Sequence, residues 1–186
     1  REKALSSKTD EVVIGIAWPV SSQDQFAQGI ELALEQVNSQ GILGGKEIRL
    51  VIKDDADSVT RGMAIAHEFA EDPTISAVIG HRSSSVTVPA SRIYDNAGIL
   101  LISPASTSPM LTSINSNFIY RNIPNDVEIG KQLAIYAANQ GYQKAVIYYS
   151  DNEYGRGLAN AFEDQAKESG LMIVDRIAGF KDEADV

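Results

Sequence analysis

The chain has 186 residues, 44% hydrophobic and 22% charged, with a formal net charge of −9; this is the make-up of one globular domain, or of one domain and part of another, with enough apolar side chains for a core. The negative charge, and the lack of any run where basic and aromatic residues interleave, exclude a nucleic-acid surface. The lack of cysteine excludes disulfides, thiolate metal sites and cysteine nucleophiles, and no apolar stretch is long enough to span a bilayer.

No signal peptide is visible. Residues 1–10 read as a polar leader, or as the mature end left after a signal is removed. From residue 11 strand and helix alternate. Glu11 to Trp18 is an apolar, β-branched run, as expected for a strand buried on both faces. A helix is predicted from Gln23 to Gln40, with Phe26, Ile30, Leu34 and Val37 on one face and Gly41 as its stop. Ile48 to Ile52 is the second strand. Asp54, Asp55 and Asp57 precede a helix over Val59 to Glu71, ended by Pro73. Ser76 to Gly80 is the third strand, and Ser83 to Ser85 lead a helix to Ala97 that stops at Gly98. Pro89 is expected in that helix's first turn, where its missing N–H costs least.

Ile99 to Ile102 is the fourth strand, and a non-helical stretch rich in Ser, Thr, Pro and Asn follows from Ser103 to Asn125, broken by a short strand over Phe118 to Arg121. The cycle then restarts: a helix capped by Asp126, a strand from Ala145 to Tyr149, a helix from Asp151 to Ser169, and a strand from Leu171 to Ile177. The expected fold is α/β, a Rossmann-like parallel sheet flanked by helices. The boundary is placed in the Ser103–Asn125 stretch, with residues 11–121 as one unit and residues 122–186 as the start of another. A second unit of two strands is small for a sheet, so the chain is expected to be incomplete as a folding unit.

In an open parallel sheet, ligands sit beyond the carboxyl ends of the strands. That rule selects the loops after Trp18, Asp54, Gly80 and Ser103, three of which are rich in hydroxyls. At Gly80-His81-Arg82-Ser83-Ser84-Ser85 a strand runs into a helix N-terminus, which attracts carboxylates and phosphates; a serine there also serves as an ordinary N-cap. Asp54, Asp55 and Asp57 lack EF-hand spacing and read as capping or solvated residues rather than a metal site. Two histidines without cysteine argue against zinc. His81 lies near Ser84, but no Gly-x-Ser-x-Gly elbow accompanies them, and no phosphate-binding glycine loop is present. Trp18 and Tyr154 stand at strand-to-helix junctions, as pocket walls or as cover for the sheet ends.

The blocks Val78-Ile79-Gly80-His81 with Ser83-Ser84-Ser85, Pro89-Ala90-Ser91, Gly98-Ile99-Leu100 and Ile102-Ser103-Pro104 with Ser106-Thr107 resemble the type I periplasmic binding proteins. The likeness is to the leucine/isoleucine/valine-binding branch. Asn38 to Gly45, Asp54-Asp55 and Tyr154-Gly155 with Gly157 fit the same pattern, and the match runs from Val12 to Phe180. The resemblance implies a two-lobed receptor that closes on an amino acid or similar small polar ligand and passes it to the membrane permease of an ABC importer. It implies a periplasmic or extracellular location, free or lipid-anchored, and no catalytic residue, cofactor or metal. Ser84 and Ser85, beside Ser83, would take the ligand carboxylate. Ser106 and Thr107 would hold carboxylate and ammonium, and Tyr154 would reach across from the second lobe. The ammonium's acidic partner would lie beyond residue 186. Trp18-Pro19 and Arg82 depart from the family pattern, and Arg82 would either add a charge for an acidic ligand or point to solvent. The same fold also serves as the sensor domain of signalling receptors; an α/β enzyme is the third reading.

Overall fold

A computed structural model describes residues 11–22, 25–113 and 116–179. Strands β1 (Glu11–Ala17), β2 (Glu47–Lys53), β3 (Ile75–Gly80), β4 (Leu100–Ser103) and β5 (Ile119–Arg121) form a five-stranded sheet in the order β2-β1-β3-β4-β5. Every neighbouring pair is parallel, so each connection must cross over a face of the sheet. Helices α1 (Phe26–Gln40), α2 (Val59–Glu71), α3 (Ser84–Ala97) and the single turn α4 (Met110–Ser113) lie in those connections. Past β5, α5 (Asp126–Asn139) leads to β6 (Lys144–Ser150), α6 (Glu153–Glu168) and β7 (Met172–Gly179), and β6 and β7 pair in parallel as a second sheet.

The first core packs Val13, Val78 and Leu101 of the strands against Ile65 and Phe69 of α2 and Tyr94 of α3. Burying each of these larger side chains contributes about 1.5–3 kcal/mol. The predicted stripe of α1 is its half-buried side, but α1 buries no residue fully. Asn38 anchors it instead: its Oδ1 accepts from Ile48 N at 2.8 Å and its Nδ2 donates to Ile48 O at 3.1 Å. That pair satisfies backbone groups on the edge strand β2, which would otherwise invite pairing. In the second unit, Ala134, Ala166 and Leu171 form a small core between α5, α6 and β7. Val146, Tyr148, Val174 and Ile177 on its strands remain exposed.

Three expectations need correction. Pro89 is the sixth residue of α3, not a first-turn residue, because the helix already begins at Ser84; the Ser85 carbonyl therefore has no N–H four residues on. Asn125, not Asp126, caps α5, its side chain accepting from Glu128 N, while Asp126 is the first helical residue and is buried. The stretch read as non-helical contains α4, where the buried Leu111 holds a turn against the first core. The start of the first helix as predicted, at Gln23, falls outside the described residues. No helix among the described residues is long and apolar enough to cross a membrane.

Candidate functional site

Parallel strands bring the four selected loops to one edge, and hydrogen bonds stitch them together. Val20 N donates to Asp54 Oδ1 at 3.0 Å, joining the loops after β1 and β2. Asp55 Oδ2 lies 2.7 Å from His81 Nδ1, joining the loops after β2 and β3. Ser84 Oγ accepts from Ser106 Oγ at 3.2 Å and from Ser108 N at 3.3 Å, joining the loops after β3 and β4.

The aspartate run is thus not simply capping and solvation. Ser58 caps α2, and Asp55 is buried with His81 and Tyr94. His81 Nε2 lies 3.2 Å from the Tyr94 hydroxyl. Burial pushes that hydroxyl far above its ordinary pKa, and the Asp55 charge adds to the effect, so the phenol keeps its proton. Both ring nitrogens of His81 thus have a partner, Asp55 at Nδ1 and the Tyr94 hydroxyl at Nε2. With both ring nitrogens engaged, His81 has none left to activate a serine. Among the described residues no group of three His, Cys, Asp or Glu side chains is placed to hold a metal ion.

Between the two sheets lies a cleft of about 330 Å³, lined by Asp57, Arg82, Ser83, Ser84, Ser85 and Ala105 on one side and by Asn152 and Tyr154 on the other. Four of the predicted residues meet there: the three serines and Tyr154. Ser106 and Thr107 lie behind the lining, and Ala105 reaches it in their place; Ser106 is buried and spends its hydroxyl on Ser84. Trp18 lies outside it, buried and stacked on Phe26 with ring centroids 3.7 Å apart. Sequence reasoning missed Asp57 and Asn152 as lining residues. The signal for Asn152 was its place two residues before Tyr154, where it caps α6 by accepting from Gly155 N.

The N-terminus of α3 differs from those of α2, α5 and α6. Their cap side chains each accept a first-turn N–H, whereas Ser83 makes no such bond. The first-turn N–H groups at Ser84 and Ser85 lack intrahelical carbonyls, and both residues line the cleft. Free N–H groups, hydroxyls and the positive helix end are the chemistry that holds a carboxylate without reacting with it.

Where the chain crosses between the sheets, Asp126 N donates to Thr107 O at 2.8 Å. Thr107 Oγ1 and both Asp126 carboxylate oxygens are buried and make no hydrogen bond. Burial raises the Asp126 pKa above 3.8; the Thr107 side chain, close to the carboxylate but outside hydrogen-bond geometry, and the Arg121 charge pull it down, and Glu153 pushes it up. The folded chain therefore binds this proton more readily than the unfolded one. The group's contribution is most favourable below 3.8 and is lost as pH rises through the raised folded value. Asp126→Asn is thus expected to be more stable than wild type at neutral pH, the gap closing in acid, as measured by urea denaturation across pH. A variant less stable than wild type at pH 7 would show that Arg121 outweighs burial.

A parallel five-stranded sheet and a second parallel sheet, with hydroxyl-rich loops along the cleft between them, define the type I periplasmic binding-protein fold. The chain belongs to the receptor family ligand binding region, whose family model matches residues 25–185. It is 35% identical over 170 residues to an amino acid binding protein of Pseudomonas aeruginosa, covering 88% of this chain and 46% of that protein. It is 36% identical over 174 residues to the Leu/Ile/Val-binding protein of Escherichia coli, covering 92% and 47%. Among solved structures, an ABC transporter substrate-binding protein from Desulfitobacterium hafniense in complex with Leu is 50% identical, with a TM-score of 0.85 over 94% of this chain and 52% of that one. A leucine binding protein from Thermotoga maritima, 23% identical with a TM-score of 0.78 over 94% and 51%, shares the fold. The chain spans about half the length of the curated relatives it matches.

Proposed function

We propose that this chain is part of an extracytoplasmic solute-binding receptor that holds an amino acid in the cleft and delivers it to an ABC importer. Residues 11–121 supply the first lobe's wall and residues 122–186 begin the second. The observation that carries the reading is the α3 N-terminus, whose uncapped first turn lies beside Ser84 and Ser85 on the cleft. The ligand carboxylate binds there, and Tyr154 closes over it from the other side. The names of the relatives support an amino acid as the ligand. Ligand favours the closed state through its contacts with both walls.

The test is calorimetry on the full-length protein with leucine, isoleucine, valine and a panel of polar and acidic amino acids. Binding is expected, with a ligand-dependent rise in melting temperature. No heat and no shift from any of them would defeat the reading. Ser84→Ala is expected to weaken the bound amino acid by about 1–3 kcal/mol, and an unchanged affinity would remove Ser84 from the site.

A further inference from the structure

We infer that Ser108 and Glu153 form a latch between the two sheets, positioning the Asn152–Tyr154 wall over the cleft serines. The inference rests on reading the cleft as the ligand site. Ser108 is fully buried and uses every polar group it has. Its N–H donates to Ser84 Oγ at 3.3 Å, and its carbonyl accepts from Arg121 Nη1 at 2.8 Å. Its Oγ accepts from Met110 N at 3.3 Å and donates to Glu153 Oε1 at 3.2 Å.

Glu153 is the first residue of α6 and stands between Asn152 and Tyr154, which both line the cleft. A carboxylate is favoured there by the positive end of its helix, so the latch has a charged acceptor on one side and a fixed donor on the other. The Asp126–Thr107 backbone bond also joins the two units, but it sits on the covalent crossing itself. Ser108 and Glu153 are 45 residues apart in sequence, and their bond constrains a rotation that the crossing alone leaves open. A path of hydrogen bonds thus runs from Ser84 in the cleft through Ser108 to the helix that carries Tyr154.

The test uses the full-length protein carrying Glu153→Ala, Glu153→Gln or Ser108→Ala, with leucine as the probe ligand. Spin labels at Thr60→Cys on α2 and Gln132→Cys on α5, both exposed positions, report the distance between the two units. Glu153→Ala and Ser108→Ala are expected to broaden the ligand-free distance distribution. They should also speed leucine release, weakening its affinity on the order of tenfold. Glu153→Gln keeps an acceptor oxygen and should recover most of both effects, which a general loss of stability would not. A Glu153→Ala distribution like that of wild type, or a Glu153→Gln variant as loose as Glu153→Ala, would overturn the latch. Should wild type bind no amino acid, the proposed function fails, and the label distances still decide the latch.

Discussion

Asp55→Ala is expected to destabilise the first sheet by about 3 kcal/mol, the upper end for leaving a buried polar group without its hydrogen-bond partner. Asp55 is 1% exposed and His81 0%, so water cannot replace the missing partner without opening the fold. The loss is also structural. Asp55 Oδ1 accepts from Asp57 N at 3.0 Å and Asp55 O accepts from Ser58 N at 2.9 Å, so the same residue shapes the turn that places Asp57 on the cleft. His81 in turn precedes Arg82 and the three serines. The pair therefore holds two cleft loops in register, and ligand affinity should fall with stability. Tyr94→Phe leaves His81 Nε2 without its partner and should cost less, about 1 kcal/mol. Urea denaturation of the three proteins checks the order. An Asp55→Ala loss under about 1 kcal/mol would show that the site relaxes or admits water.

Much of the fold was legible because it rests on local patterns. The β-branched runs and the glycines that end α1 and α3 mark strands and helix stops within a few residues. Likeness to a known family supplied the rest of the architecture. What stayed hidden depends on neighbours distant in sequence. Asp55 and His81 are 26 residues apart, so a run of aspartates before a helix looked like capping and solvation. Asp126 looked like a cap because an acid beside a helix start usually is one; Asn125 took that role, and the folded crossing buried Asp126 instead. Ser106 shows the same limit within the site. Its residue type fits a ligand contact, but the turn after β4 aims its hydroxyl at Ser84. Hydroxyl-rich loops at the strand ends located the cleft; which hydroxyls face it was decided by packing.

Gly155→Ala is expected to cost about 3 kcal/mol, at the upper end for an overpacked site, and to weaken ligand binding as well. A Cβ on Gly155 would stand 2.1 Å from Ser150 O and 2.9 Å from Ser150 N. Both are backbone atoms, so no change of rotamer relieves the clash; the end of β6 or the first turn of α6 must move. That turn carries Asn152, whose Oδ1 accepts from Gly155 N at 2.9 Å, together with Glu153 and Tyr154. Displacing it disturbs the cap, the bond to Ser108 and the aromatic wall in one step. Gly157→Ala provides the comparison. Its Cβ would meet Asp126 Oδ2 at 3.2 Å, a side-chain atom that can shift slightly, so a smaller loss is expected. Thermal denaturation and calorimetry on both variants separate the two cases, and a Gly155→Ala variant within about 0.5 kcal/mol of wild type would show that the junction gives way. The two glycines of Tyr154-Gly155-Arg156-Gly157 thus answer to different neighbours. The first lets a helix start against its own strand, and the second leaves room for a buried carboxylate at the crossing.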